Sequence, residues 1–90
     1  MDIIGIAREC AECLRARARL GMSAEGASVC LVVPKGWKAP PGFPRGSMVQ
    51  VRPDGARVCY FPVLDLSAWL VASMERRIAS GTASVVEGGT

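Results

Sequence analysis

The sequence holds no histidine, and with it goes the commonest general base and a principal metal ligand. No serine stands in a Gly-x-Ser-x-Gly elbow, so the hydrolase nucleophile turn is missing. Gly42 to Gly46 lacks the Gly-Lys-Ser/Thr ending of a phosphate-binding loop. The eight acids are scattered. Asp2 reads as a helix cap, Glu25 as a loop residue, Asp54 as a turn residue and Asp65 as the opening of a second helix. Glu9, Glu12, Glu75 and Glu87 fall on exposed faces or in the tail. No two acids are placed to share a proton, so no catalytic residue is expected and the chain reads as a non-enzyme. No cofactor is expected either. The first twenty residues carry Arg8, Glu9, Glu12, Arg15, Arg17 and Arg19, and that charge density fits neither a secretory leader nor a membrane span. The expectation is a cytoplasmic protein with no membrane partner.

What is present suits one small globule. Half of the 90 residues are hydrophobic, too many for a disordered chain, and the length leaves room for one core. Residues 1–81 are read as a single α+β domain and residues 82–90 as a flexible, glycine-rich tail. The net charge of +3 gives weak support to a polyanionic partner. In a cytoplasmic protein the four cysteines are expected as free thiols. Cys10-x-x-Cys13, with Cys30 and Cys59, could in principle bind zinc. A pair inside a helix and two singletons in strands favour packing as small hydrophobes instead, so no metal site is assigned.

Hydrophobic periodicity divides the chain. Ile3, Ile6, Cys10, Cys13, Leu14 and Leu20 mark one face of a helix over residues 2–20, with Asp2 as N-cap and Gly21 as stop. Val29 to Val33 is a continuous apolar run and predicts a strand buried on both faces, central in its sheet. Asp54-Gly55 predicts a two-residue hairpin turn within residues 48–61. That turn sets Arg52 opposite Arg57, Val51 opposite Val58 and Val49 opposite Tyr60. Val49, Val51, Val58 and Tyr60 then form the core face. Met48, Gln50, Arg52, Arg57, Cys59 and Phe61 form the other, either open or used for a homodimer. Pro62 suits the first turn of a second helix reaching about Ser80, with Val63, Leu66, Leu70, Met74 and Ile78 as its stripe and Gly81 as its stop. The expected fold is α+β: an N-terminal helix, a three-stranded, mostly antiparallel sheet with a long Pro/Gly loop, and a C-terminal helix.

That loop, Pro34 to Ser47, holds four of the six prolines and Gly36, Gly42 and Gly46. Proline lacks a backbone donor and glycine weakens any regular element, so neither helix nor strand persists here. Yet Trp37 and Phe43 lie inside it, among Lys35, Lys38 and Arg45 and without a single acid. Such a loop is either a binding surface or a lid over the core. As a surface it would use Lys35, Trp37, Lys38, Phe43 and Arg45 toward a protein partner, since Trp and Arg are enriched at interface hot spots. The same residues interleave cations with stacking rings, as nucleic-acid and nucleotide binders do.

Pro41-Gly42-Phe43-Pro44-Arg45-Gly46, the Asp-Gly turn, Tyr60-Phe61-Pro62 and a helix carrying Trp69-Leu70 together resemble short uncharacterised proteins encoded by bacteriophages and prophages. The resemblance covers roughly residues 40–70. It departs at Phe61, where those proteins often carry a polar capping residue. It implies an accessory protein that binds, and thereby inhibits, a host or defence protein.

Overall fold

The computed structural model describes residues 1–79. The elements are α1 (Ile3–Arg19), β1 (Ser28–Val33), β2 (Ser47–Val51), β3 (Arg57–Pro62) and α2 (Val63–Ala79). The strands form one antiparallel sheet in the order β1-β3-β2. The architecture is the expected α+β arrangement. The expected stop at Gly81 and tail 82–90 lie outside the described residues.

The first helix is closed at both ends by its own sequence. Asp2 is extended and its carboxylate accepts the amide of Gly5, one of the donors a first turn leaves unpaired. At the other end Gly21 takes φ +69. Its amide donates to the Ala18 carbonyl at 3.0 Å and that of Met22 to the Arg17 carbonyl at 2.9 Å, the paired bonds of a Schellman cap. Arg17 also donates through Nε to the Ser23 carbonyl at 2.8 Å, so it anchors the following loop. Leu20, expected on the apolar face, is the C-cap residue and is exposed.

Three sequence expectations are corrected. First, β1 is an edge strand buried on one face. Val29, Leu31 and Val33 point into the core while Ser28, Cys30 and Val32 are exposed. Both helices lie on one side of a small sheet, so an apolar run here has only one face to bury. Second, the second helix begins directly after Pro62, which is the last residue of β3. Its buried stripe is Val63, Leu66, Trp69 and Ser73, whereas Met74 and Ile78 are exposed. Trp69 fits the core at a three-residue step and turns the helix so that the expected stripe slides outward.

Third, the hairpin is offset by one residue. Val51 pairs with Arg57, Gln50 with Val58, Met48 with Cys59 and Ser47 with Tyr60, with a bulge at Val49. The turn explains it. Arg52 closes the loop by donating to the Ala56 carbonyl at 2.7 Å, and Gly55 donates to the Arg52 carbonyl at 2.9 Å. Pro53 therefore sits second in a turn, and Gly55 at φ +86 follows as the left-handed third loop residue. Asp54 accepts the Ala56 amide at 3.0 Å and pairs with Arg52. Pro53-Asp54-Gly55 is thus a three-residue loop that shifts β2 by one residue against β3, and the face of the hairpin turned to the core is the one expected to be open. Cys59 and Phe61 are buried, while Val49, Val51 and Tyr60 are exposed.

The order β1-β3-β2 dictates the path of the long loop. β1 and β2 both run antiparallel to β3, so they are parallel to each other and need a crossover. β1 ends opposite Arg57 and β2 begins opposite Tyr60. The chain must therefore return along β3 and move sideways by two strand spacings, about 10 Å. A helix usually makes such a crossing. Here thirteen residues, 34–46, make it without one.

Candidate functional site

Two glycine-hinged turns shape the crossing. Trp37 donates its amide to the Pro34 carbonyl and Phe43 to that of Pro40, both at 3.1 Å. Gly36 and Gly42, third in each turn, have φ +77 and +79, the conformation that a type II turn demands. Pro41 presets the second position of the second turn. Each turn thus ends on an aromatic residue and delivers it to the sheet. Phe43 meets Trp37, Phe61 and Trp69 edge-on, with ring centroids 5.1, 5.4 and 4.9 Å apart, an arrangement favoured by the ring quadrupoles. Trp69 Nε1 donates to the Pro41 carbonyl at 3.3 Å. At Gly46 the backbone comes so close to the Phe61 ring that a Cβ would lie 2.6 Å from it.

The loop is consequently a lid in its aromatic residues and a surface in its charged ones. Trp37 and Phe43 are half-buried and pack on the core, whereas Lys35, Lys38 and Arg45 are exposed. Between the loop and the sheet lies a cleft of about 430 Å³. Its walls include Trp37, Phe43, Met48 and Phe61, and Arg45 and Arg57 also line it. No acid lines it. Among the described residues neither Arg45 nor Arg57 has an ion-pair partner, the Arg52–Asp54 contact being elsewhere. Of the expected binding residues, Trp37, Phe43 and Arg45 share this cleft. Lys35 does not: its side chain lies along the hairpin turn beside Gly55. Lys38 is outside the cleft as well. Met48 and Arg57 are additions that sequence reasoning missed: they share a face with Cys59 and Phe61 as expected, but that face, expected to be open or used for a homodimer, is the one turned to the core. Pro53 before Asp54-Gly55 was the signal for the longer loop.

The cysteines divide by position. Cys10 is buried on α1, and Cys13, half-buried, donates its thiol to the Ser28 carbonyl at 3.7 Å. Cys59 is buried on the inner face of β3, and Cys30 is exposed on the outer face of β1. Among the described residues no three Cys, Asp or Glu side chains gather as a metal would require. Burial pushes the Cys10 thiol above its ordinary value, with Cys13 and Glu9 adding to the effect. The folded state therefore holds that proton after the unfolded state has lost it, and stability should fall as pH rises past about 8.5. A thiol reagent applied to the native protein should accordingly label one cysteine fast. Cys30→Ser should remove that fast phase, with Cys10 and Cys59 reacting only on unfolding.

Comparison with family models, with curated proteins and with solved structures finds no match. The chain is thus defined by its own geometry. It is a small α+β protein whose crossover loop covers one side of a three-stranded sheet and leaves a cationic, acid-free cleft beside it. None of its described helices is long and apolar enough to cross a membrane.

Proposed function

We propose that this is a non-enzymatic accessory protein of bacteriophage or prophage type. It works in the host cytoplasm and binds, and so inhibits, a host or defence protein through the basic aromatic loop 35–46. The observation that carries the binding reading is the rigid presentation of exposed charge. The loop is held by two turns and an aromatic cluster, while Lys35, Lys38 and Arg45 stand exposed on it. A pre-organised loop loses little entropy on docking, and exposed cations favour an acidic partner surface. Arg45 is the accessible anchor, and Trp37 and Phe43 hold the loop in shape while offering one wall of the cleft. The origin and the inhibitory role rest on the sequence resemblance.

The test is capture from a lysate of the native host, with the tagged protein as bait and the Lys35→Glu, Lys38→Glu variant as control. Both substitutions are at exposed positions outside the cleft, so thermal unfolding should be unchanged. One host protein retained by the wild type and lost by the variant is the expected result. The same proteins retained by both would overturn the reading. The second reading is a nucleic-acid or nucleotide-binding module using the same loop, favoured by the alternation of cations with Trp37 and Phe43. It requires nuclease-sensitive capture and affinity that drops steeply with added salt. Salt-insensitive binding would eliminate it.

A further inference from the structure

Strand β2 is exposed along its whole length, from Ser47 to Val51. It is an edge strand, and no backbone group of a turn or loop bonds to it among the described residues. It contains neither proline nor charge, and Met48, Val49 and Val51 are all more than half exposed. Natural edge strands are blunted by charge, proline, cover, short length or a bulge. Of these β2 has its five-residue length and the bulge at Val49, and its side chains supply no charge, proline or cover to keep a second strand away. The cleft opens on this side of the sheet: Met48 of β2 lines it together with Gly46, Arg45 and Arg57.

The geometry points to strand addition: an extended, acidic peptide segment of a partner protein pairs with β2 and sets alternate side chains into the Arg45–Arg57 cleft. This rests on the reading of the loop as a recognition element and supplies the chemistry of what it recognises. Main-chain bonds to an open edge give affinity, and pockets for every second side chain give selectivity. A strand added beside β2 would lie two strand spacings from β3, about 10 Å, which an arginine and a carboxylate span between them. Met48 and the aromatic wall suit an apolar side chain, while Arg45 and Arg57 suit a carboxylate. A second copy of this chain fits less well. Arg45, Arg52 and Arg57 flank β2, and Asp54 of the hairpin turn is already paired with Arg52, so self-pairing brings like charges together. A nucleic acid also fits less well, because Phe43 already meets three rings and has little face left for a base.

Fluorescence anisotropy with a blocked, labelled ten-residue peptide alternating aspartate with leucine and valine tests this directly. The wild-type protein should bind it, and amide exchange should slow across residues 47–51. Methylating alternate peptide amides, which leaves the protein untouched, should weaken binding at least about tenfold, as should Arg45→Glu or Arg57→Glu. A lysine-for-aspartate peptide should not bind. The proposal is overturned by a methylated peptide that binds as well as the parent, by no binding of the acidic peptide, by preference for a single-stranded oligonucleotide, or by sedimentation as a dimer whose β2 amides are already protected. If Lys35→Glu, Lys38→Glu abolishes capture of the host protein yet methylated and parent peptides bind alike, strand addition fails and the loop reading stands. If the peptide pairs with β2 while that variant captures normally, the loop reading fails instead.

Discussion

Replacing Phe43 with alanine should lower the stability of the fold by about 3 kcal/mol, at the low end for an aromatic truncation because the ring is only half-buried. In a domain of this size that corresponds to a fall in melting temperature of about 12 to 24 °C, out of a total stability of about 5 to 13 kcal/mol. The reason is the position of the ring between the loop, β3 and α2. The loop cannot collapse into the space, since proline and left-handed glycine fix its two turns. The Trp69 to Pro41 hydrogen bond would also lose its alignment. Lys38→Ala, at an exposed position in the same loop, should stay within about 0.5 kcal/mol. Thermal and urea unfolding of the two variants decide the matter. If Phe43→Ala melts within a degree or two of the wild type, the aromatic cluster is not a structural lid, and its rings are free to serve recognition alone.

The element order was legible because its signals are local and agree with one another. Asp2 and Gly21 bracket α1, the valine run marks β1, and prolines and glycines mark the crossover. What was not legible depends on a third element. Whether Val29–Val33 is central or an edge depends on which strand lies beside it, and that follows from β3 inserting between β1 and β2. The stripe on α2 was misread for a similar reason. Met74 and Ile78 are apolar at the correct spacing, yet Trp69, drawn inward by Phe43 and the Pro41 carbonyl, sets the rotation of the helix. In the candidate site, composition pointed to Trp37, Phe43 and Arg45. It could not supply Arg57 and Met48, because both faces of the hairpin carry apolar residues and only packing against the loop and α2 selects Cys59 and Phe61, with Met48 and Arg57 beside them, as the inner side.

The register itself predicts the second large effect. Phe61→Ala should cost about 3 to 5 kcal/mol, since the ring is 4% exposed and fills the inner face of the central strand. Tyr60→Ala, one residue away and 47% exposed on the outer face, should cost about 1 kcal/mol or less. The opposite order would mean that Val58 and Tyr60 are the residues of β3 turned to the helices, so urea denaturation of the two variants decides which face of the hairpin is the core. Gly46 extends the test to the crossover. Alanine at Gly46 would drive its Cβ into the Phe61 ring, costing about 1 to 3 kcal/mol as overpacking does. In a Phe61→Ala background the obstructing ring is gone, and most of that cost should vanish as a coupling energy between the two positions. Independent, additive effects would mean that the loop does not cross the sheet at Phe61, and the cleft between them would lose its floor.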